Sequence, residues 1–158
     1  MQLSHYSNEV VTSVRPEAQA EKKHSKPKGF WVSVDGPNDW KEWCTSEYYA
    51  GFGAIRHRVI LSDSARILHL KSVFDIDCFH EEYSENVDWH FMPHIKYPNW
   101  QRVASEYDGI IIAPYQWQRR FDGEASGWYY PWDCASGCIW NGNIISNIFP
   151  IIEQVAAE

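Results

Sequence analysis

Chemistry in this chain is concentrated in a few short stretches. Leu3-Ser-His-Tyr-Ser7 reads as a strand in which His5 and Ser7 interrupt an otherwise apolar run. Lys28-Gly-Phe-Trp-Val-Ser33 reads as a second strand opening on Gly29, with Trp31 and Ser33 two residues apart and so on one face. Late in the chain, Trp132-Asp-Cys-Ala-Ser136 sets Asp133 among aromatics, where desolvation strengthens a carboxylate's field. The same Asp133 can instead cap a turn before Gly137. Tyr115-Gln-Trp-Gln-Arg-Arg120 interleaves aromatics with Arg119 and Arg120, which is either a clamp for a pyrophosphate or base, or a solvated loop. Glu124 supplies a further carboxylate just beyond. His5 alone is open to two uses, a structural hydrogen bond or a ligand contact. Trp31 can face a ligand or pack on the Trp40/Trp43 segment.

The elements that must position these groups follow from pattern. Strands are expected over 2–7 and 29–34, joined by a polar connection. Asn38 or Asp39 then caps a helix with Trp40, Trp43, Cys44, Glu47 and Tyr48 on one face, stopped at Gly51-Phe-Gly53. A half-buried alternation predicts a strand over Ile55–Leu61, paired with another over Arg66–Leu70, before a helix from Ser72 through Tyr83. Residues 84–98 read as irregular, and Asn99 caps a helix carrying Trp100, Val103, Ala104 and Tyr107 inward. After an Asp108-Gly109 turn, Ile110–Tyr115 is apolar throughout and so a central strand covered on both faces. An aromatic strand is expected over Trp128–Trp132, an extended stretch over Ser136–Ile145, and a closing helix begun by Pro150. Strands at both ends with helices between predict an α+β domain around a mixed or antiparallel sheet.

A length of 158 residues suits a single domain over 1–158. A net charge of −7 repels nucleic acid in general, which excludes duplex binding by bulk electrostatics. Local anion binding is still open at Lys22–Lys28, read as a solvated loop, and at Arg119-Arg120. With 16% aromatics and nine Trp, any one indole can belong to a core built of large side chains, but among so many some should line a cleft for a flat ligand. No apolar run reaches membrane-span length and no signal-type h-region opens the chain, so a cytoplasmic protein with reduced thiols is expected. Cys134 and Cys138 lack the CxxC spacing of zinc ribbons, and Pro93 breaks a helical His90/His94 pair, so no metal is assigned. Gly-rich phosphate loops, Gly-x-Ser-x-Gly elbows and His-Glu-x-x-His are all missing, which counts against common hydrolases and nucleotide kinases.

His5-Tyr6-Ser7 and Gly29-Phe30-Trp31-Val32-Ser33 resemble the first two signatures of the ADP-ribosyltransferase superfamily, in its histidine–tyrosine–glutamate branch. Trp31 stands where that branch has tyrosine. The order of elements is also similar to that of its bacterial and phage-like members, including Glu106-Tyr-Asp-Gly-Ile110 entering a strand. The resemblance implies a split mixed or antiparallel β-sandwich with inserted helices, and NAD as cofactor. It implies His5 at a ribose hydroxyl, Ser7 near the nicotinamide amide, Trp31 as the stacking wall, and Gly29 and Ser33 completing the pocket. Tyr115, Arg119 and Arg120 would clamp the pyrophosphate. The third signature departs: Ser136 of Ser136-Gly-Cys-Ile-Trp-Asn141 stands at the glutamate position, leaving Asp133 as the nearest carboxylate to oppose an oxocarbenium charge. Glu124 lies in the loop that contacts the acceptor in the family. The implied activity is ADP-ribosyl transfer to a macromolecular acceptor, protein or nucleic acid, with nicotinamide released and no membrane involved. A non-catalytic binding module for a nucleotide or other aromatic ligand, and an inhibitor acting on a host factor, are the rival readings.

Overall fold

The computed structural model describes residues 1–49, 53–87 and 94–151. Within them the order is β1 (Leu3–Ser7), β2 (Phe30–Val34), α1 (Trp40–Ser46), β3 (Ile55–Leu61), β4 (Ile67–Leu70), α2 (Val73–Tyr83), β5 (Ser84–Asn86), β6 (Lys96–Pro98), α3 (Trp100–Glu106), β7 (Gly109–Ile112), α4 (Trp117–Phe121), α5 (Ser126–Tyr129), β8 (Ser136–Ile139), a 3-10 turn at Gly142–Ile144, and β9 (Ile145–Pro150). Seven strands form one mixed sheet in the order β4-β7-β8-β2-β1-β3-β9, and β5 pairs with β6 alone. The architecture is α+β, as expected.

Gly109-Ile-Ile-Ile112 has no polar side to turn to water, and every residue of β7 is buried between β4 and β8. Its alternation feeds two cores. Ile110 and Ile112 join the helix-covered cluster with Ile76, Phe79, Trp100, Trp128 and Trp132, while Ile111 joins Val32, Ile139, Leu3, Val59 and Ile148 on the other face. β4 and β7 are the parallel pair. Their starts are pinned by buried Asp108, which accepts from the Arg66 backbone N–H at 2.9 Å and from Asn141 Nδ2 at 2.9 Å.

The feature that shapes the site is a break in pairing at the sheet's middle. β1 and β2 share only the pairs Leu3↔Val34 and Ser4↔Ser33. From His5 onward β1 stays with β3 as far as Ser7↔Ile55, and from Val32 back to Phe30 β2 stays with β8. The strands therefore splay, dividing β4-β7-β8-β2 from β1-β3-β9 at one end. The closed end is clamped by Asp35, whose Oδ2 accepts from Arg56 and Arg58 of β3 at 2.9 Å each.

Several elements differ from the sequence reading. Ile55–Leu61 and Arg66–Leu70 do not pair. The link 62–65 has no glycine for a tight hairpin turn, and β4 instead crosses to the far edge beside β7. α1 is capped by Asp39 but ends at Ser46; Tyr48 takes φ 53° and is 95% exposed, so the expected inward face stops at Cys44. Gly51 and Phe52 of the expected stop lie outside the described residues, as do His90 and Pro93. Within 84–98, β5 and β6 form a short antiparallel pair in place of irregular chain. Gly109 starts β7 and does not sit in a turn. Trp128–Trp132 is no strand: α5 and a following turn direct Trp128, Tyr129 and Trp132 into one core, so burial overrides their strand propensity. Pro150 ends β9 opposite His57 and does not open a helix within the described residues. No helix among those residues is long and apolar enough to cross a membrane.

Gly137 lies where β8 meets β7 so closely that a Cβ would stand 2.6 Å from both Ile110 O and Ile111 Cγ1. Backbone cannot yield there without opening the ladder. Gly137→Ala should destabilise the fold by about 1–3 kcal/mol, read as a lower urea midpoint at unchanged slope.

Candidate functional site

The splay between β1 and β2 opens into a pocket of about 430 Å³, lined among others by His5, Lys26, Trp31, Ser33, Asp133 and Ser136. That volume suits a small-molecule site. β2 alternation puts Trp31 and Ser33 on one face, and the β2–β8 register sets Ser136 opposite Ser33. The turn before β8 brings in Asp133, so residues far apart in sequence meet here. Trp40 of α1 lines the same pocket. Its backbone N–H donates to Ser33 Oγ at 3.0 Å, which fixes the hydroxyl while leaving its hydrogen to donate.

His5 spans the splay. Its Nδ1 lies 2.8 Å from Trp31 O, and its ring sits 4.1 Å from that of Phe30. A carbonyl can only accept, so the proton is on Nδ1 and Nε2 presents a lone pair. Burial holds the pKa below the usual histidine value; the Trp31 carbonyl pulls the other way and nearby His57 adds to the lowering. His57 is itself fixed, receiving the Val11 N–H on Nε2 at 3.0 Å and donating from Nδ1 to His5 O at 3.3 Å. Neutral His5 is thus an acceptor suited to a ligand hydroxyl.

Trp31 packs edge-on against Trp132, with centroids 4.9 Å apart, and does not stack on the Trp40–Trp43 pair. Lys26 Nζ stands 5.2 Å from the Trp31 ring centroid and 3.9 Å from Asp133 Oδ2. Asp133 Oδ1 accepts from Arg120 at 3.2 Å. Arg120 in turn donates to the Tyr115 hydroxyl at 3.2 Å, and burial pushes that phenol up to about 12. Cys134 lines the pocket, where burial pushes its thiol up to about 12 and disfavours the thiolate.

Of the residues singled out from sequence, His5, Trp31, Ser33 and Asp133 share this pocket. Arg120 and Tyr115 stand behind Asp133 as its support and do not line the pocket. Ser7 donates to Glu9 O farther along β1. Gly29 fits against Ile139 O, where a Cβ would lie 2.7 Å away, and takes φ 148°. Arg119, expected beside Arg120 at an anion, instead makes two 2.6 Å bonds to Asp77 of α2. Glu124 lies at a separate pocket, 3.7 Å from His80 Nε2, and does not face Asp133's pocket. Lys26 was missed: inside a basic run, nothing in its spacing separates it from solvated neighbours. Among the described residues no group of three or more His, Cys, Asp or Glu is arranged to hold a metal ion. No family model, curated protein or solved structure matches the chain.

Burial lowers the pKa of His5, and also of His69 and His80. The unfolded chain therefore takes up protons first on acidification. Stability should be full above about pH 6.5 and fall as pH drops through the lowered values. In urea titrations from pH 7.5 to 5, His5→Asn should flatten this slope in part; an unchanged slope would show that folding does not lower the His5 pKa.

Proposed function

We propose that this chain is an ADP-ribosyltransferase-like protein that binds NAD and transfers ADP-ribose to a macromolecular acceptor, releasing nicotinamide. The observation that carries the reading is the splay of β1 from β2, which gathers His5, Trp31, Ser33 and Asp133 into one pocket. The flat nicotinamide ring packs on Trp31, gaining area burial and, as a cation, attraction to the indole face. His5 Nε2 accepts from a ribose hydroxyl. Ser33 donates to the carboxamide.

In the reaction the C1′–N bond breaks, the electron pair leaves with nicotinamide, and the ribose becomes oxocarbenium-like. An acceptor nucleophile then bonds C1′ and loses its proton. Asp133 is the pocket carboxylate that opposes the transient positive charge. Arg120 holds it in place through Oδ1. Trp117, Phe121 and Tyr130 are exposed on the segment beside it and form the surface over which an acceptor approaches.

One observation favours the rival reading of a non-catalytic nucleotide-binding module. Ser136 stands where the family has its glutamate, and Asp133 already faces two cations, Arg120 and Lys26. Two measurements separate the readings. NAD at about a hundredfold excess over its dissociation constant should stabilise the fold by roughly 2.7 kcal/mol, with nicotinamide competing; no thermal shift from either would dismiss the NAD-dependent enzyme and move weight to a module for another ligand. Asp133→Asn should then keep NAD affinity while cutting nicotinamide release about a hundredfold. Binding without release in the parent protein would establish the module and dismiss the enzyme.

A further inference from the structure

Lys26 occupies the face of Trp31 that a flat cation would use. Its Nζ stands 5.2 Å from the ring centroid, inside cation–π range, and 3.9 Å from Asp133 Oδ2. The backbone that carries it is anchored on both sides. His24 O accepts from Trp100 Nε1 at 2.8 Å, Pro27 O lies 3.9 Å from Cys138 Sγ, and Lys28 is held through N and O by the Gln19 amide at 2.9 and 2.7 Å. The ammonium therefore moves by side-chain torsions from a fixed base. At 39% exposure it has room to do so.

We infer that Lys26 sets the ligand class of this pocket: it favours a flat cation that carries phosphate over a flat cation alone. The inference rests on reading the pocket as a nucleotide site. A ring docking on Trp31 must displace the ammonium, because two positive charges cannot share one indole face. A ligand without an anion gives the displaced ammonium no new partner for the indole it leaves, only water and the Asp133 carboxylate it already faces. A ligand with a diphosphate gives it a charge-assisted partner within reach of the same torsions. Arg120 is poorly placed for this part, since its side chain is largely buried behind the Trp117, Phe121 and Tyr130 rings and its two terminal nitrogens donate to Asp133 and the Tyr115 hydroxyl. The long polar connection between β1 and β2 thus places a selective cation at the mouth of the splay.

Titration calorimetry with NAD and with 1-methylnicotinamide tests this on the parent protein, Lys26→Gln and Lys26→Arg. Lys26→Gln should bind 1-methylnicotinamide about two- to fivefold more tightly, since the competing cation is gone. It should bind NAD about tenfold more weakly, having lost the phosphate partner. Lys26→Arg should keep the parent's preference. If NAD binds the parent but Lys26→Gln shifts both affinities in one direction, or leaves their ratio within about twofold, the role of Lys26 is overturned while the nucleotide reading stands. If NAD binds neither the parent nor a variant, the nucleotide reading falls and this inference with it. Matching thermal melts of the three proteins guard against a folding artefact.

Discussion

The structure turns on a hydrogen-bond sequence that replaces a missing β-ladder. Where β1 and β2 part, their backbone groups lose each other as partners, and unpaired buried backbone is costly. Side chains take up part of that demand. The Val11 N–H donates to His57, His57 donates to the His5 carbonyl, and the His5 ring donates across the gap to Trp31 O. Both imidazoles are oriented by these bonds. At the other end Asp35 gathers Arg56 and Arg58, and Arg56 also donates to Ser4 Oγ at 3.0 Å. One end is thus locked by charge and the other is bridged by the His5 imidazole.

Electrostatics inside the cleft run against the protein as a whole. A chain of net charge −7 presents, in this pocket, one carboxylate beside two cations. The cations differ in kind. Arg120 is walled by the Trp117, Phe121 and Tyr130 rings, with its charge 5.2 to 5.9 Å from their centroids. It is a fixture that sets where Asp133 points. Lys26 is a point charge on a flexible stem, able to exchange partners. A carboxylate held by a fixture and screened by a movable charge has a field that depends on what else is in the pocket. Departure of Lys26 from Asp133 would leave that field less compensated.

How much of this the sequence discloses depends on whether local pattern or remote pairing decides the outcome. The caps Asp39, Ser72 and Asn99 lie where short-range chemistry puts them, and each side chain accepts from the backbone N–H three residues on. The buried β7 run is equally plain. The shared face of Trp31 and Ser33 was legible because strand alternation fixes faces, whereas their meeting with His5 and Asp133 depends on pairings between remote strands. The partner of β4 was not legible, since a hairpin and a crossover leave the same apolar alternation in Ile67–Leu70. Arg119 and Arg120 look identical in sequence. On the short helix α4 they point in different directions, one to Asp77 of α2 and the other to Asp133. Lys26 was hidden for a related reason: its role comes from anchors at Trp100, Cys138 and Gln19, none of them near in sequence except the last.

The aromatic excess has a physical explanation in this arrangement. Trp100, Trp128, Trp132 and Trp140 are buried in the helix-covered core, and Trp31 packs against that cluster while also lining the pocket. One flank of the Trp31 indole therefore meets the edge contact with Trp132, which fixes its tilt, and another meets Lys26. A ligand wall built this way is rigid because its back is core. Docking on it costs little ordering entropy compared with a wall formed by a loop side chain. The same construction ties function to stability: truncating Trp132 would loosen the wall as well as the fold, so its ring serves both. Its indole N–H is buried without a hydrogen-bond partner among the described residues. An unsatisfied donor is tolerated where the ring's packing against Trp31, Trp128 and Tyr129 outweighs its desolvation.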